Sequence, residues 1–244
     1  MKLTVIGFWG AYPEANGATS GYLLEKDGFF CLIDCGSGVL SRLQNVIKPA
    51  DLDAVILSHY HHDHIADVGP LQYAFLIHHQ LHHSNLVLPI YGHEDDQESF
   101  DRLTHHYTRK EAYDPDRGLQ LGPFQFDFIK TRHPAPCYAM RISDGKQTVV
   151  YTADTSYFPE LTSFSANADL LIAESSFYKG MDGRGAGHMN SIECGRLAEE
   201  AGVKELWLTH LPHFGNVSQL KQEAQEVFSG KTKLAEERLV WFGE

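Results

Sequence analysis

The sequence has few of the features that mark membrane-bound or secreted proteins. It contains no run of about 18 consecutive apolar residues, the length that a membrane-spanning helix requires, so we expect no membrane span. The N-terminal segment MKLTVIGFWG is too short and too polar for a signal peptide. The 4 cysteines show no CxxC spacing and suit buried thiols in a reducing compartment. We therefore expect a cytoplasmic protein.

Positive charge is also scarce. The chain has 20 lysines and arginines against 32 aspartates and glutamates, which gives a formal net charge of −12. This balance disfavours broad attraction to a phosphate backbone, so we expect no binding to duplex DNA. A phosphate ester can still be a substrate if metal ions supply the local positive charge.

The pattern of apolar residues predicts a strand-rich chain with interspersed helices. Hydrophobic residues make up 43% of the 244 residues, enough for a sizeable core. Periodicity and turn residues predict strands at 2–7, 20–25, 29–34, 54–57, 86–91, 124–129, 138–142, 148–152, 170–173, 206–208 and 238–242. They predict helices at 39–47, 68–82, 191–201 and 217–228, and an exposed helix or insertion at 94–112. Because no low-complexity linker interrupts this pattern, we expect a single domain over residues 1–244, built from two βα-rich halves.

Metal-capable side chains follow several of the predicted strands. His59, Asp154, Glu174 and His210 each stand at or just after the end of an apolar strand. The carboxyl ends of strands meet at one edge of a layered α/β structure, where a site can form. A random scatter of histidines would not select these positions.

The stretch SHYHHDHIAD concentrates such residues, with four histidines and two aspartates. A turn that leaves a strand can direct His59 and His61 to one side, and Asp63 and His64 to another. This arrangement suits two metal ions roughly 3.5–4 Å apart, as in two-metal hydrolases. Imidazole and carboxylate ligands favour Zn²⁺, with Mn²⁺ or Fe as alternatives. We expect His62 to face away from such a site.

The motif His59-x-His61-x-Asp63-His64 resembles the first motif of the metallo-β-lactamase superfamily. Three later segments resemble the remaining motifs in the same order, namely TRHPAP, YTADTS and LTHL. By this resemblance the first metal ion takes His59, His61, His133 and the shared Asp154, and the second takes Asp63, His64, His210 and Asp154. The resemblance also implies an α+β fold, a four-layer αββα sandwich.

Shorter segments resemble the ribonuclease Z branch of that superfamily. They are LIDCGSG, IAESSF and GHMNS, although Ala173 stands where that branch has a histidine. The resemblance implies a homodimer. Ribonuclease Z grips transfer RNA with a long basic arm that this chain lacks, since residues 155–190 contain only Lys179 and Arg184 as cations. We therefore expect a substrate that is a small phosphodiester or an RNA 3′ region, and the small phosphodiester fits this chain better.

The expected reaction is hydrolysis of a phosphodiester by a hydroxide that bridges the two metal ions. His188 is the predicted proton donor to the leaving group, and Glu174 is predicted to orient it. Asp63 is assigned a catalytic role in addition to metal binding. Asp34 is a candidate to orient a metal-binding histidine from behind.

Two other functions stay open at this stage. Acyl hydrolysis of a lactone, thioester or β-lactam could use the same metal ions, but it needs no distant acid such as His188. A non-catalytic binding protein with this fold would be free to lose a ligand, whereas all seven are present. A further histidine cluster at residues 78, 79, 82 and 83 has helical i, i+4 spacing, and we expect a polar surface there rather than a second metal site.

Overall fold

The computed structural model of the protein describes residues 1–243. The strands are β1 (Lys2–Gly7), β2 (Gly21–Lys26), β3 (Phe29–Ile33), β4 (Ala54–Ile56), β5 (Leu88–Gly92), β6 (Thr108–Ala112), β7 (Leu119–Leu121), β8 (Phe124–Lys130), β9 (Tyr138–Ser143), β10 (Thr148–Tyr151), β11 (Leu170–Glu174), β12 (Glu205–Thr209), β13 (Lys231–Leu234) and β14 (Val240–Phe242). The α-helices are α1 (Val39–Leu43), α2 (His62–Ile65), α3 (Val68–His82), α4 (Gln97–Asp101), α5 (Pro159–Phe164), α6 (Ser191–Ala201) and α7 (Val217–Gln225).

Most predicted elements are confirmed, and the polar segment 94–112 is the main correction. Only its first part is helical, as α4, whereas its end forms the strand β6. β6 has the polar sequence TRKEA because it is the last strand of its sheet and pairs on one side only, with β5. Charged side chains are common on such edge strands, so their hydrophobic pattern is weak. The edge strands β7 and β13 were also not predicted. The helices α2 and α5 were not predicted because four to six residues are too few to show a helical period.

The described chain divides into two compact units. The first contains Met1–Asp114 and Glu237–Phe242, and the second contains Pro115–Glu236. Each unit has one seven-stranded mixed sheet with helices. The single domain that the sequence predicts stays a prediction.

The sheet of the first unit has the order β14-β1-β2-β3-β4-β5-β6. Its first four strands are antiparallel, and β3, β4, β5 and β6 run parallel. β4 has the sequence AVI and is buried throughout, as expected for a central parallel strand covered on both faces. Pairing of Ile33 with Ile56 brings the carboxyl ends of β3 and β4 side by side. Asp34 and Ser58 follow these two ends.

The sheet of the second unit has the order β13-β12-β11-β10-β9-β8-β7. β10, β11, β12 and β13 run parallel, and β10, β9, β8 and β7 are antiparallel. β11 (LLIAE) and β12 (ELWLT) are buried along their whole length, and Glu174 pairs with Thr209 at their carboxyl ends. A buried glutamate at the end of an apolar strand requires hydrogen-bond donors close by. This edge of the sheet is therefore where polar groups gather.

Two helices of the second unit, α6 and α7, are held together by close packing and by a buried carboxylate. A capping box begins α6, with Asn190 and Glu193 each accepting a backbone N–H of the other. A Cβ at Gly195 would lie 2.5 Å from the carbonyl oxygen of Ala224, so the close approach of α7 requires glycine there. Glu223 on α7 accepts hydrogen bonds from the Ser191 hydroxyl, the Lys179 backbone and the Gln219 side chain, the last two at 2.8 and 2.7 Å.

The pKa of Glu223 makes this contact sensitive to acid. Burial alone would raise the pKa of Glu223, but the three hydrogen bonds outweigh it and the pKa lies below its ordinary value. A carboxyl group with a lowered pKa in the folded state stabilises the fold above its unfolded-state pKa. That contribution is lost as the pH falls through the folded-state pKa.

We expect Glu223→Gln to lower the free energy of unfolding near neutral pH by about 1–3 kcal/mol, because the three donors lose a charged acceptor. The wild type should lose stability more steeply than the variant between about pH 7 and pH 3, measured by urea denaturation. Glu226→Gln is the control, since Glu226 lies three residues further on and pairs with Lys179 at the surface. It should change stability by less than about 1 kcal/mol. Equal pH dependence in wild type and Glu223→Gln would contradict this account.

Candidate metal centre

The first group of predicted ligands follows β4 in the first unit. His59 is fully buried, and α2 begins shortly after it, with His61 as its extended N-cap residue. The rings of His59 and His61 have centroids 4.8 Å apart, and ligand atoms of the two lie within 4.8 Å of each other. Nε2 of His64 lies 3.8 Å from Oδ2 of Asp63. The exposed His62 lies outside both groupings, as the sequence predicts.

Asp34 orients this group by hydrogen bonds to residues that follow β4. It follows β3 in a left-handed conformation, with φ of 56°, and is fully buried. Its Oδ2 accepts a hydrogen bond from Nδ1 of His64 at 2.7 Å, and its Oδ1 accepts one from the backbone N–H of Ser58 at 2.8 Å. The predicted contact between Asp34 and a site histidine is confirmed. Since Nδ1 of His64 carries the shared proton, Nε2 is the ring nitrogen with the lone pair that a metal ion could use.

Ser58 extends the same support to His59. Its hydroxyl donates to Oδ2 of Asp34 at 2.8 Å and lies 3.0 Å from Nδ1 of His59. A hydroxyl has one proton, and a carboxylate only accepts, so Nδ1 of His59 must be the donor in the second contact. His59 therefore has its lone pair on Nε2. Ser58 was not predicted as a site residue, because its contact with Asp34 joins residues 24 positions apart in the sequence.

The turn LIDCGSG packs directly against α2. A Cβ at Gly36 would lie 2.0 Å from the carbonyl oxygen of Asp63, so only glycine permits this approach. Cys35 N–H donates to the carbonyl of His64 at 2.7 Å. Oδ2 of Asp63 accepts the backbone N–H of Ala11 at 2.9 Å. Backbone contacts therefore fix the orientation of Asp63, and Gly36 permits the turn to pack closely against α2.

The second group of predicted ligands lies at the carboxyl edge of the sheet in the second unit. Asp154 follows β10 and His210 follows β12, and Oδ2 of Asp154 lies 3.4 Å from Nε2 of His210. His133 follows β8, with Nε2 4.0 Å from Oδ2 of Asp154. Nδ1 of His133 lies 3.2 Å from the carbonyl oxygen of Gly187, which can only accept. Its Nε2, which lies near Asp154, is therefore the ring nitrogen with the lone pair.

Glu174 occupies the centre of this edge and is fully buried. Its Oε1 accepts from Nδ1 of His188 at 2.9 Å and from the backbone N–H of Met189 at 3.0 Å. Its Oε2 accepts both the backbone N–H and the hydroxyl of Ser176, at 3.1 and 2.9 Å. The Ser176 hydroxyl also lies 2.8 Å from Nδ1 of His210. One carboxylate thus contacts His188 directly and His210 through a serine.

His188 is the only partly exposed member of this cluster of three. Its side chain is 17% exposed, against 1% for Glu174 and 7% for His210. Its ring stacks on that of His210 with centroids 5.2 Å apart. Because Nδ1 is engaged by Glu174, Nε2 is the atom that can exchange a proton with a substrate. The predicted contact between Glu174 and His188 is confirmed, and their chemical roles stay predictions.

These donors fit divalent metal ions of intermediate softness. Four histidines have Nδ1 held by an acceptor, namely His59, His64, His133 and His210, and each therefore presents Nε2. Metal-binding histidines usually show this arrangement, in which a partner on one ring nitrogen fixes the tautomer. Carboxylates from Asp63 and Asp154 lie beside them. The seven predicted ligands thus form two groups, one in each unit, and their assignment to particular ions stays a prediction.

Within the described residues, the remaining histidines form no comparable group. The rings of His78 and His82 lie 4.6 Å apart on α3, and His79 stacks on Tyr107 at 4.0 Å. Within residues 1–243, the groups of three or more metal-capable side chains contain none of these histidines. A second metal site on α3 is therefore not supported.

No helix within residues 1–243 is both long enough and apolar enough to cross a membrane. The predicted cytoplasmic location stays a prediction.

Comparison with known proteins agrees with the motifs. The family model described as "Beta-lactamase superfamily domain" matches residues 31–211. The probable metallo-hydrolase YhfI of Bacillus subtilis (strain 168) is 54% identical over 244 residues, which cover 100% of both chains. A crystal structure of the metallo-β-lactamase fold protein YhfI from Bacillus subtilis has a TM-score of 0.98 at 55% identity, with 99% of each chain covered. The ribonuclease Z of Methanopyrus kandleri is 27% identical over 267 residues, with 93% of each chain covered.

The family match covers most of the chain and includes all the predicted ligands. The predicted α+β fold, the metallo-β-lactamase sandwich, is confirmed by this match and by the likeness to YhfI. Membership implies divalent metal ions, and the clusters of histidine and aspartate are compatible with them. The chain therefore belongs to the β-lactamase superfamily, as a hydrolase of the metallo-β-lactamase fold.

Proposed function

We propose that the protein is a phosphodiesterase that uses two divalent metal ions to hydrolyse a small phosphodiester. The contact between Glu174 and His188 carries this proposal. Cleavage of a phosphodiester releases an alkoxide, which needs a proton from a positioned acid. Hydrolysis of a thioester on the same ions releases a thiolate, which leaves without protonation and so has less need of a positioned acid. The chemistry of the leaving group therefore favours the phosphodiester.

We propose Zn²⁺ as the metal, with Mn²⁺ or Fe as alternatives, because the ligands are imidazoles and carboxylates. Family resemblance assigns His59, His61, His133 and Asp154 to one ion, and Asp63, His64, His210 and the shared Asp154 to the other. Ions bound in this way would lower the pKa of a water molecule and offset charge on the phosphoryl oxygens. Asp63 keeps its proposed catalytic role beside its role as a ligand.

In this proposal, His188 supplies the proton that the leaving group needs. Nδ1 of His188 donates to Oε1 of Glu174, so the ring is oriented and its positive form is favoured by the adjacent carboxylate. Its Nε2 then holds the proton that the leaving oxygen receives. Glu174 stays in place because Met189 and Ser176 also donate to it.

The charge of residues 155–190 supports a small substrate rather than an RNA 3′ region. The two cations of residues 155–190 are both paired with neighbouring carboxylates, Lys179 with Glu226 and Arg184 with Asp182 through two nitrogens. A long RNA would require a basic surface that follows its backbone. The net charge of −12 also opposes such a surface.

Metal binding gives the first prediction of this proposal. Protein stripped with a chelator and reloaded with Zn²⁺ should hold about two ions per chain, measured by plasma emission spectroscopy. The ions should raise the melting temperature, since a ligand at about 100 times its Kd stabilises by about 2.7 kcal/mol. Fewer than about one ion per chain after reloading would favour the non-catalytic binding protein.

The role of His188 gives the second prediction. In metal-loaded protein, His188→Ala should lower turnover of a nucleoside cyclic phosphate by roughly 10²–10⁴-fold, because its alkoxide leaving group needs a proton. The loss should be much smaller with bis(p-nitrophenyl) phosphate, since p-nitrophenolate leaves without protonation. Rates are followed at saturating metal so that binding of the ions does not limit them.

His62→Ala is the matched control, since His62 is exposed and lies outside the clustered side chains. It should retain wild-type turnover of both substrates. Equal losses of both substrates in His188→Ala would contradict a proton-donor role. Hydrolysis of a lactone or thioester by a metal-loaded wild type that cleaves neither phosphodiester would contradict the proposed function itself.

We also propose that the protein is cytoplasmic, as the sequence predicts. We further propose that it is a homodimer, as the family resemblance implies. The exposed side chains Tyr73, Ile77 and Leu81 on α3 support an association surface, because large exposed apolar residues in one line are unusual on a monomer. Sedimentation equilibrium measures the mass in solution directly.

A further inference from the structure

The two units contain the same hydrogen-bonded arrangement. In each, a fully buried carboxylate stands at or just after the carboxyl end of a parallel strand, as Asp34 and Glu174 do. Each carboxylate contacts Nδ1 of one histidine directly, His64 at 2.7 Å and His188 at 2.9 Å. Each also contacts a second histidine indirectly, through the hydroxyl of a serine.

The indirect contacts match in detail. The Ser58 hydroxyl lies 2.8 Å from Asp34 and 3.0 Å from Nδ1 of His59. The Ser176 hydroxyl lies 2.9 Å from Glu174 and 2.8 Å from Nδ1 of His210. In both cases the backbone N–H of the serine also donates to the same carboxylate.

Counting protons determines the direction of every bond in these chains. Each serine has one hydroxyl proton, and the carboxylate can only accept it. The hydroxyl oxygen must then accept from Nδ1 of the histidine. Both histidines are consequently held as the Nδ1–H tautomer, with the lone pair on Nε2. Without the serine, Nδ1 would lose this acceptor and the other tautomer would compete.

We propose that Ser58 and Ser176 are positioning residues, which hold His59 and His210 in the tautomer and orientation that present Nε2 to a metal ion. This inference rests on the proposed metal centre. Asp34 and Glu174 act on these histidines through the serines, so each carboxylate supports two site histidines at once. Neither serine contacts the substrate in this account.

Glu174 supports two site histidines that have different proposed roles. One of its oxygens orients the proposed proton donor His188, and the other supports the proposed ligand His210 through Ser176. Removing the Ser176 hydroxyl should weaken metal binding while leaving His188 in contact with Glu174. Saturation with metal should therefore restore much more activity to Ser176→Ala than to His188→Ala.

The test measures metal affinity rather than activity. Ser58→Ala and Ser176→Ala should each bind Zn²⁺ about 10–100-fold more weakly than the wild type in competition with a fluorescent chelator. Ser176→Thr, which keeps the hydroxyl, should recover most of the affinity. Ser175→Ala is the matched control, because it removes a buried hydroxyl one residue away, and its affinity should equal that of the wild type. Thermal melting of each metal-free variant shows that it is folded.

A second measurement reads the tautomer directly in metal-free protein. Long-range ¹H–¹⁵N correlation spectra, recorded well above the ordinary histidine pKa, distinguish Nδ1–H from Nε2–H rings. The wild type should show Nδ1–H for His59 and His210. Ser58→Ala should change the His59 pattern alone, and Ser176→Ala the His210 pattern alone.

The outcomes separate this inference from the proposed function. Folded serine variants that bind Zn²⁺ as tightly as the wild type, with unchanged tautomers, would overturn the inference and leave the metal centre standing. A wild type that binds no Zn²⁺ would overturn the metal centre. The tautomer spectra would then still decide whether the serines position the histidines.

Discussion

The two groups of predicted ligands, one in each unit, depend on one constraint, the need of a buried carboxylate for hydrogen-bond donors. Asp34 and Glu174 are fully buried at the ends of apolar strands. An unpaired carboxylate there would cost several kcal/mol, so the fold must supply donors. It supplies backbone N–H groups, a serine hydroxyl and a histidine ring in each unit. The imidazole rings of His64 and His188 are oriented because they are among these donors.

Parallel strands explain why these donors are in reach. Adjacent parallel strands end at the same edge of a sheet, so the residue after one strand meets the residue after the next. β3 and β4 place Asp34 beside Ser58, and β11 and β12 place Glu174 beside His210. When such a partner holds the proton on Nδ1 of a histidine, the lone pair is on Nε2. The same hydrogen bond therefore stabilises the fold and prepares the ring to bind a metal ion through Nε2. Stability and chemistry therefore depend on the same contacts.

The sequence predicted the strand ends and the charged or imidazole side chains that follow them, because both have strong local signals. Apolar runs mark buried strands, and His59, Asp154 and His210 stand out after them. The roles of Ser58 and Ser176 could not be predicted, because a serine has no distinctive pattern and its function here depends on a carboxylate far along the chain. The edge strand β6 was missed since its exposed, charged face hides the alternation that marks a strand. The role of Asp34 was predicted from the LIDCGSG turn, but the close packing of Gly36 on Asp63 depends on three-dimensional contact.

The most direct test of this account is anomalous X-ray diffraction from crystals of the Zn²⁺-loaded protein, recorded on either side of the zinc absorption edge. The account predicts two zinc peaks, each with Nε2 atoms of the assigned histidines among its ligands, and with Nδ1 of His59 and His210 still facing Ser58 and Ser176. Zinc bound through Nδ1 of these histidines, or found only on the α3 histidines His78 and His82, would contradict it.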